Sequence, residues 1–144
     1  MVVAMRRFSE FSPNRFRSGK YTASELSYAV GTFGIRRVVD LRDRPERLLS
    51  PRTYERLGVD YIRVPLSGNE PVPHSVLDVV DVEHTLVHCW NGSHRTGTVV
   101  AMLRMRDGWP PEKVWLEMQA FGFGRWDERP ALAECGFGDW RPPC

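Results

Sequence analysis

Thr85-Leu86-Val87-His88-Cys89-Trp90-Asn91-Gly92-Ser93-His94-Arg95-Thr96-Gly97 decides the fold. The first four residues form a short apolar run of the kind found in buried strands. From Arg95 onward, Val99, Met102 and Leu103 stand at i, i+3 and i+4, the spacing of one buried helix face. Five residues lie between Cys89 and Arg95. The segment therefore predicts a buried strand, a tight loop and a helix in direct succession.

Outward from this unit the chain keeps alternating strand-like with helix-like segments, which predicts an α/β domain. Residues Asn14 to Tyr21 read as a short edge strand and turn. Thr22-Ala23-Ser24-Glu25 reads as a capping box opening a helix that runs to Gly31 or Gly34. Arg36 to Arg42 holds the β-branched run of a buried strand. Ser50 caps a second short helix with Pro51 at its first position, and Gly58 closes it. Val59 to Pro65 alternates like a strand, Ser67 to Pro73 is a Gly/Asn/Pro loop, and Ser75 to Asp81 forms a brief helix. The helix from Arg95 ends at Gly108, before Pro110 and Pro111, and Pro111 to Ala120 gives one more. Asp127 is a candidate cap for a last short helix in the Gly-, Trp- and Pro-rich tail. The expected architecture is a single domain over 1–144, with a central, mostly parallel sheet flanked by helices. The tail over 123–144 is left unplaced.

A loop between a strand end and a helix start is a cradle for an anion. Successive backbone N–H groups turn inward, and the helix N-terminus adds partial positive charge. A phosphate dianion fits such a cradle, with Trp90, Asn91, Gly92, Ser93, His94 and Arg95 as the residues around it. Arg95 closes it by gripping two oxygens at once. Gly92 and Gly97 permit the tight turn and close backbone approach that a Cβ would obstruct. A thiol at a helix N-terminus beside an arginine exists as thiolate at neutral pH. Cys89 is thus the expected nucleophile, forming a phosphocysteine that splits hydrolysis into two easier steps. Thr96 is placed to donate its hydroxyl to the sulfur, and His88 to order the loop backbone.

His-Cys-x-x-Gly-x-x-Arg-Thr-Gly at 88–97 resembles the signature of the protein tyrosine and dual-specificity phosphatase superfamily. Arg17-Ser18-Gly19, Val38-Val39-Asp40-Leu41-Arg42 and Pro65-Leu66 are similar to segments of its compact, atypical dual-specificity members. Gly68-Asn69-Glu70-Pro71 and Gly92 to Gly97 resemble the plant and fungal branch that includes inositol pyrophosphate phosphatases. The resemblance spans roughly residues 15–122. It implies hydrolysis of phosphotyrosine, and of phosphoserine or phosphothreonine, in proteins, without metal or cofactor. The alternative it implies is a phosphoinositide or inositol (pyro)phosphate substrate. In that branch two lysines occupy the places of Trp90 and Ser93, so a less cationic pocket is expected here. Trp90 either offers an aromatic face to an aryl phosphate or packs into the protein body.

Relatives protonate the leaving group with a carboxylic acid from a loop upstream of the cysteine. Glu70 is the first candidate, because its Gly/Pro loop can swing over the pocket. Asp78 and Asp81 are alternatives on or after the short helix, His74 is a further possibility, and use of no acid is left open. Asp40 and Arg42 read as a structural salt link. Arg63, Arg104 and Arg106 are assigned no role in the site. Two rival readings remain: a phosphate-binding protein without catalysis, and a rhodanese-type sulfur carrier. The intact Cys89–Arg95 pair argues against the first, and the spacing followed by Thr96-Gly97 against the second.

Composition adds limits. With 42% hydrophobic and 26% charged residues the chain is that of a globular protein, and a net charge of +2 gives no drive toward nucleic acid. Of its 20 positive residues only Lys20 and Lys113 are lysine. Arginine suits oxyanions through its planar fork, although genome composition is the simpler explanation of the bias. No apolar stretch approaches a membrane span. Cys89, Cys135 and Cys144 have no metal-type spacing, and free thiols suit a reducing cytoplasm. A Cys135–Cys144 bridge is not expected. The oligomeric state is not readable.

Overall fold

Strand β5 (Thr85–His88) is buried along its whole length and forms the middle of a five-stranded sheet. Apolar side chains cover both of its faces, as in strands buried within α/β sheets. This computed structural model describes residues 5–67, 70–124, 126 and 130–143. The strand order is β1-β2-β5-β3-β4, with β1 at Ser9–Ser12, β2 at Arg15–Ser18, β3 at Arg37–Asp40 and β4 at Asp60–Arg63. The β2–β5, β5–β3 and β3–β4 pairs are parallel; β1 adds an antiparallel edge. The expected mostly parallel sheet is thus observed. One detail is corrected: β2 is an interior strand, because β1 covers it. Only Phe11 of β1 is buried, so this edge strand carries little hydrophobic signal.

Side-chain alternation sorts the helices onto two faces. Phe16, Val38 and Leu86 pack with α1 (Ala23–Phe33) and α2 (Pro51–Arg56). Val39 and Val87 pack on the other face with α3 (Ser75–Val80) and α4 (Arg95–Arg106). A third cluster joins α5 (Pro111–Ala120) to Phe123, Leu132 and Phe137 of the tail. The helix signals hold locally. Thr22 and Glu25 make the reciprocal capping box, and Ser50 accepts from the Thr53 N–H ahead of Pro51. Helix α1 ends at Gly34, with φ 72°, rather than at Gly31. A 3-10 helix follows at Pro130–Cys135. The proposed cap Asp127 lies outside the described residues, as does Cys144; Cys135 is a buried free thiol.

Parallel strands deliver all their C-terminal ends to one edge of the sheet. The segments after β2, β3, β4 and β5 leave from that edge. Among the described residues, no helix is long and apolar enough to cross a membrane.

Candidate active site

Cys89 follows β5 directly and is 2% exposed. Its sulfur accepts a hydrogen bond from the Gly92 N–H at 3.3 Å. Arg95 is the first residue of α4, as the spacing predicts. Its guanidinium Nη1 donates to Asp43 Oδ1 at 3.2 Å across the loop that follows β3.

The cradle is assembled from outside. The Cys89 carbonyl accepts from His88 Nδ1 at 3.1 Å, and the Trp90 carbonyl from the Lys20 N–H at 2.8 Å. The Asn91 carbonyl accepts from Arg7 Nη1 and the Gly92 carbonyl from Arg17 Nη2, both at 2.9 Å. No described peptide bond is cis. In a trans peptide the N–H points opposite to the preceding C=O. Four carbonyls pinned outward therefore aim the N–H groups of Trp90, Asn91, Gly92 and Ser93 inward. The Gly92 bond to Cys89 Sγ shows that direction. Gly92 has φ 76°, and a Cβ there would stand 2.6 Å from the Gly19 nitrogen. A Cβ on Gly19 would stand 2.7 Å from the Asn91 carbonyl carbon, so neither backbone could approach with a side chain present. Gly97 lets Phe123 pack against α4, where a Cβ would meet the ring at 3.3 Å.

His88 is fully buried between Cys89 and an aromatic relay. A backbone carbonyl only accepts, so Nδ1 carries the proton. Nε2 then accepts from the Tyr21 hydroxyl at 3.1 Å, and Tyr21 accepts in turn from Tyr54 at 2.8 Å. Burial pushes the His88 imidazole down to about 4, against a smaller upward pull from Asp40, so it is neutral at physiological pH. Asp40 lies level with His88 in the sheet and takes a two-pronged bond from Arg42, with Nε–Oδ1 at 3.1 Å and Nη2–Oδ2 at 2.9 Å. The Tyr61 hydroxyl donates to the same carboxylate. Burial would raise Asp40, but the Arg42 bonds and the other donors prevail and hold it below the ordinary carboxylate value. The structural link read from the sequence is therefore present.

A match to the tyrosine phosphatase family extends over residues 2–131. The chain belongs to the tyrosine phosphatase family. It is 27% identical over 132 residues to the inositol diphosphatase DSP2 of Oryza sativa subsp. japonica, covering 84% of this chain and 64% of that protein. The chain thus spans under two thirds of this curated relative. The core catalytic domain of the S. cerevisiae PP-IP phosphatase SIW14, solved with citrate, superposes with TM-score 0.81 at 19% identity, covering 96% and 91% of the two chains. P. aeruginosa TpbA in complex with pTyr gives 0.73 at 23% identity, covering 92% and 83%. These two structures share the fold of this tyrosine phosphatase family member.

The remaining sequence candidates separate clearly. Trp90 is 46% exposed, with Lys20 Nζ 4.6 Å from its ring centroid, so it does not pack into the body. His94 turns toward the tail, its ring against Phe123 and its Nε2 accepting from the Gly124 N–H at 3.3 Å. Ser93 and Thr96 are buried. The Thr96 hydroxyl has no hydrogen-bond partner, so the expected bond to the sulfur is not made. Glu70 is exposed in the segment that follows β4, seven residues beyond that strand's C-terminal end. Asp81 and Asp78 belong to the opposite edge, where Arg15 and Arg106 hold them. His74 is exposed at the start of α3. Arg63 braces the loop after β3 through the Pro45 carbonyl, and Arg104 is matched to Glu117.

Arginines surround the loop although it lacks those lysines. Two cavities flank the loop and share Asn91. One, of about 650 Å³, is lined by Arg44, Arg47, Arg95 and Trp90, with Asp43 and Glu46. The other, of about 520 Å³, is lined by Arg6, Arg7, Ser93 and His94. The loop itself lacks the lysines, but distant segments return positive charge to its rim. Arg6, Arg7, Arg17 and Lys20 are the residues bracing the loop that sequence reasoning missed. Their one signal was the Arg17-Ser18-Gly19 resemblance. Among the described residues, no cluster of three His, Cys, Asp or Glu could hold a metal ion.

Proposed function

We propose that this chain is a phosphatase that hydrolyses phosphomonoesters through a phosphocysteine, using its own residues rather than a metal. The observation that carries this reading is Cys89 at the end of the central strand. Its sulfur lies under an inward N–H, and Arg95 follows at the first turn of α4. Cys89 attacks phosphorus, forming the S–P bond as the ester P–O bond breaks. Arg95 and the inward N–H groups hold the equatorial oxygens as charge redistributes. Glu70 is the proton donor to the departing oxygen, because its segment leaves β4 at the catalytic edge, whereas Asp78 and Asp81 are held at the opposite one. Water then attacks the phosphocysteine and gives a proton back to the Glu70 carboxylate, the P–S bond breaks, and the departing thiolate is received by the Gly92 N–H. The free thiol this chemistry needs suits a reducing cytoplasm.

Exposed Trp90 beside the loop favours an aryl phosphate such as phosphotyrosine in a protein, the group bound in the TpbA structure. A second reading is favoured by the guanidiniums on both flanks. They suit a substrate with several phosphoryl groups, in line with the inositol diphosphatase relative.

The test compares wild type with Cys89→Ser on p-nitrophenyl phosphate. Loss of about a thousandfold or more is expected on removing the nucleophile; equal rates in both would overturn the reading. In the same assay, Glu70→Gln should slow an alkyl phosphate more than the p-nitrophenyl ester, whose leaving group scarcely needs a proton. A panel of phosphopeptides and inositol pyrophosphates at matched ionic strength separates the two substrate classes.

A further inference from the structure

We propose that Arg17 is a positioning residue, whose buried guanidinium fixes the Ser93 amide toward the oxyanion and supplies a permanent positive charge beneath the Cys89 sulfur. The proposal rests on the catalytic reading above.

Arg17 stands where the sheet should carry an apolar residue. In β2 its neighbour Phe16 faces the α1 side, so alternation turns Arg17 toward α4. There it lies level with Val87 of β5, which lies level with Val39 of β3. Two of the three side chains in this row are valines in the core, and the third is an arginine 1% exposed. A hydrophobic residue would cover the sheet at far less desolvation cost.

What holds the charge there points at the loop. Nη2 donates to the Gly92 carbonyl at 2.9 Å, and the guanidinium carbon lies 3.9 Å from the Phe121 ring centroid. The same Nη2 is 3.7 Å from where a Gly97 Cβ would stand, which places it against the first turn of α4. Nε has no hydrogen-bond partner, and among the described residues Arg17 makes no salt bridge.

The charged groups around it are Glu117 on α5, Cys89 on the loop, Arg104 on α4 and Arg7 on the N-terminal segment. Glu117 is already held by both prongs of Arg104, each at 3.0 Å. Burial pulls the Arg17 guanidinium down to about 10, which leaves it charged at neutral pH. Beyond Glu117, which Arg104 shares, the anions left to face this buried cation are those of the site, the thiolate and then the phosphoryl group. Its bond to Gly92 C=O adds direction, because it turns the Ser93 N–H to the opposite side.

Two variants of the full chain separate charge from geometry. Arg17→Gln can keep a donor for Gly92 but carries no charge; Arg17→Lys keeps the charge and loses the planar fork and ring stack. The readouts are kcat on p-nitrophenyl phosphate, the pH midpoint of Cys89 alkylation by iodoacetamide, and thermal melting. Arg17→Gln should raise the alkylation midpoint by about one pH unit and lower kcat about a hundredfold. Arg17→Lys should restore most of the midpoint and less of kcat. A folded Arg17→Gln with a wild-type midpoint overturns the proposal, even if kcat falls in step with stability. If Arg17→Gln does not fold, Arg17→Lys decides: wild-type kcat and midpoint together would reduce Arg17 to a packing residue. If the wild type itself turns over no phosphoester, the catalytic reading fails, while the alkylation midpoints still judge Arg17.

Discussion

The two edges of the parallel strands are built from the same residue types and use them in opposite ways. At the N-terminal edge, Arg15 and Arg106 both close on Asp81 at 2.6 Å, and Arg106 reaches Asp78 at 3.4 Å. At the C-terminal edge, Arg7 and Arg17 donate to main-chain carbonyls of the loop. Arg42 meets Asp40 there, and Arg95 has a single contact with Asp43. A guanidinium on a carboxylate is neutralised; one on a carbonyl keeps its full charge for whatever arrives. The Asp78–Asp81 cluster of the first edge is electrostatically closed, whereas Arg7 and Arg17 at the second present positive charge held in fixed directions.

The largest effect expected from disturbing this contrast is at Arg95. Arg95→Lys preserves the charge and removes the fork that binds two oxygens together. A loss of about a hundredfold or more in kcat/KM on p-nitrophenyl phosphate is expected for an interaction realised in the transition state. Near-normal turnover would mean that charge alone matters at this edge and direction does not.

The next effect concerns the neutral layer behind the loop. His88 is depressed to about 4 by burial, from an ordinary value of 6.5. Below pH 6.5 the unfolded chain takes up a proton that the folded one refuses. Stability therefore falls as the pH drops from 6.5 toward 4, by up to about 3 kcal/mol, and this contribution levels off below. Asp40 is depressed as well, so its contribution is lost only below its ordinary value of 3.8, outside that window. Urea unfolding at intervals from pH 7 to pH 4 should show the decline, and His88→Gln should flatten it. A flat wild-type profile would contradict a neutral His88.

Much of this was legible in the sequence, for local reasons. The run Thr85–His88, the Cys89–Arg95 spacing and the Thr22/Glu25 box each act within a few residues, so their chemistry can be read in place. The outer half of the cradle could not be read so. Arg7 and Arg17 meet carbonyls 84 and 75 positions away; the register of β2 against β5 brings Arg17 there, and Arg7 reaches the loop from the segment before β1. The placement of Asp78 and Asp81 could not be read for a related reason. Nearness in sequence to Cys89 says nothing about which end of a strand a residue occupies. They precede β5 and so fall on the edge it starts from, while the segment of Glu70 leaves β4 at the edge where both strands end.

The smallest effect belongs to that opposite edge. Asp81→Asn removes the acceptor that Arg15 and Arg106 share, and the groups involved are 21–41% exposed. Solvent screens such pairs, so the loss should be about 1 kcal/mol or less, a melting shift of a few degrees at most. The fall in stability should itself shrink in high salt. Activity is the sharper readout, because Asp81 is held by Arg15 and Arg106 at the edge away from the loop. A Cys89-dependent rate that falls tenfold in Asp81→Asn while melting barely moves would show that the two edges are coupled through β5. The division of labour between closed and open charge would then have to be abandoned.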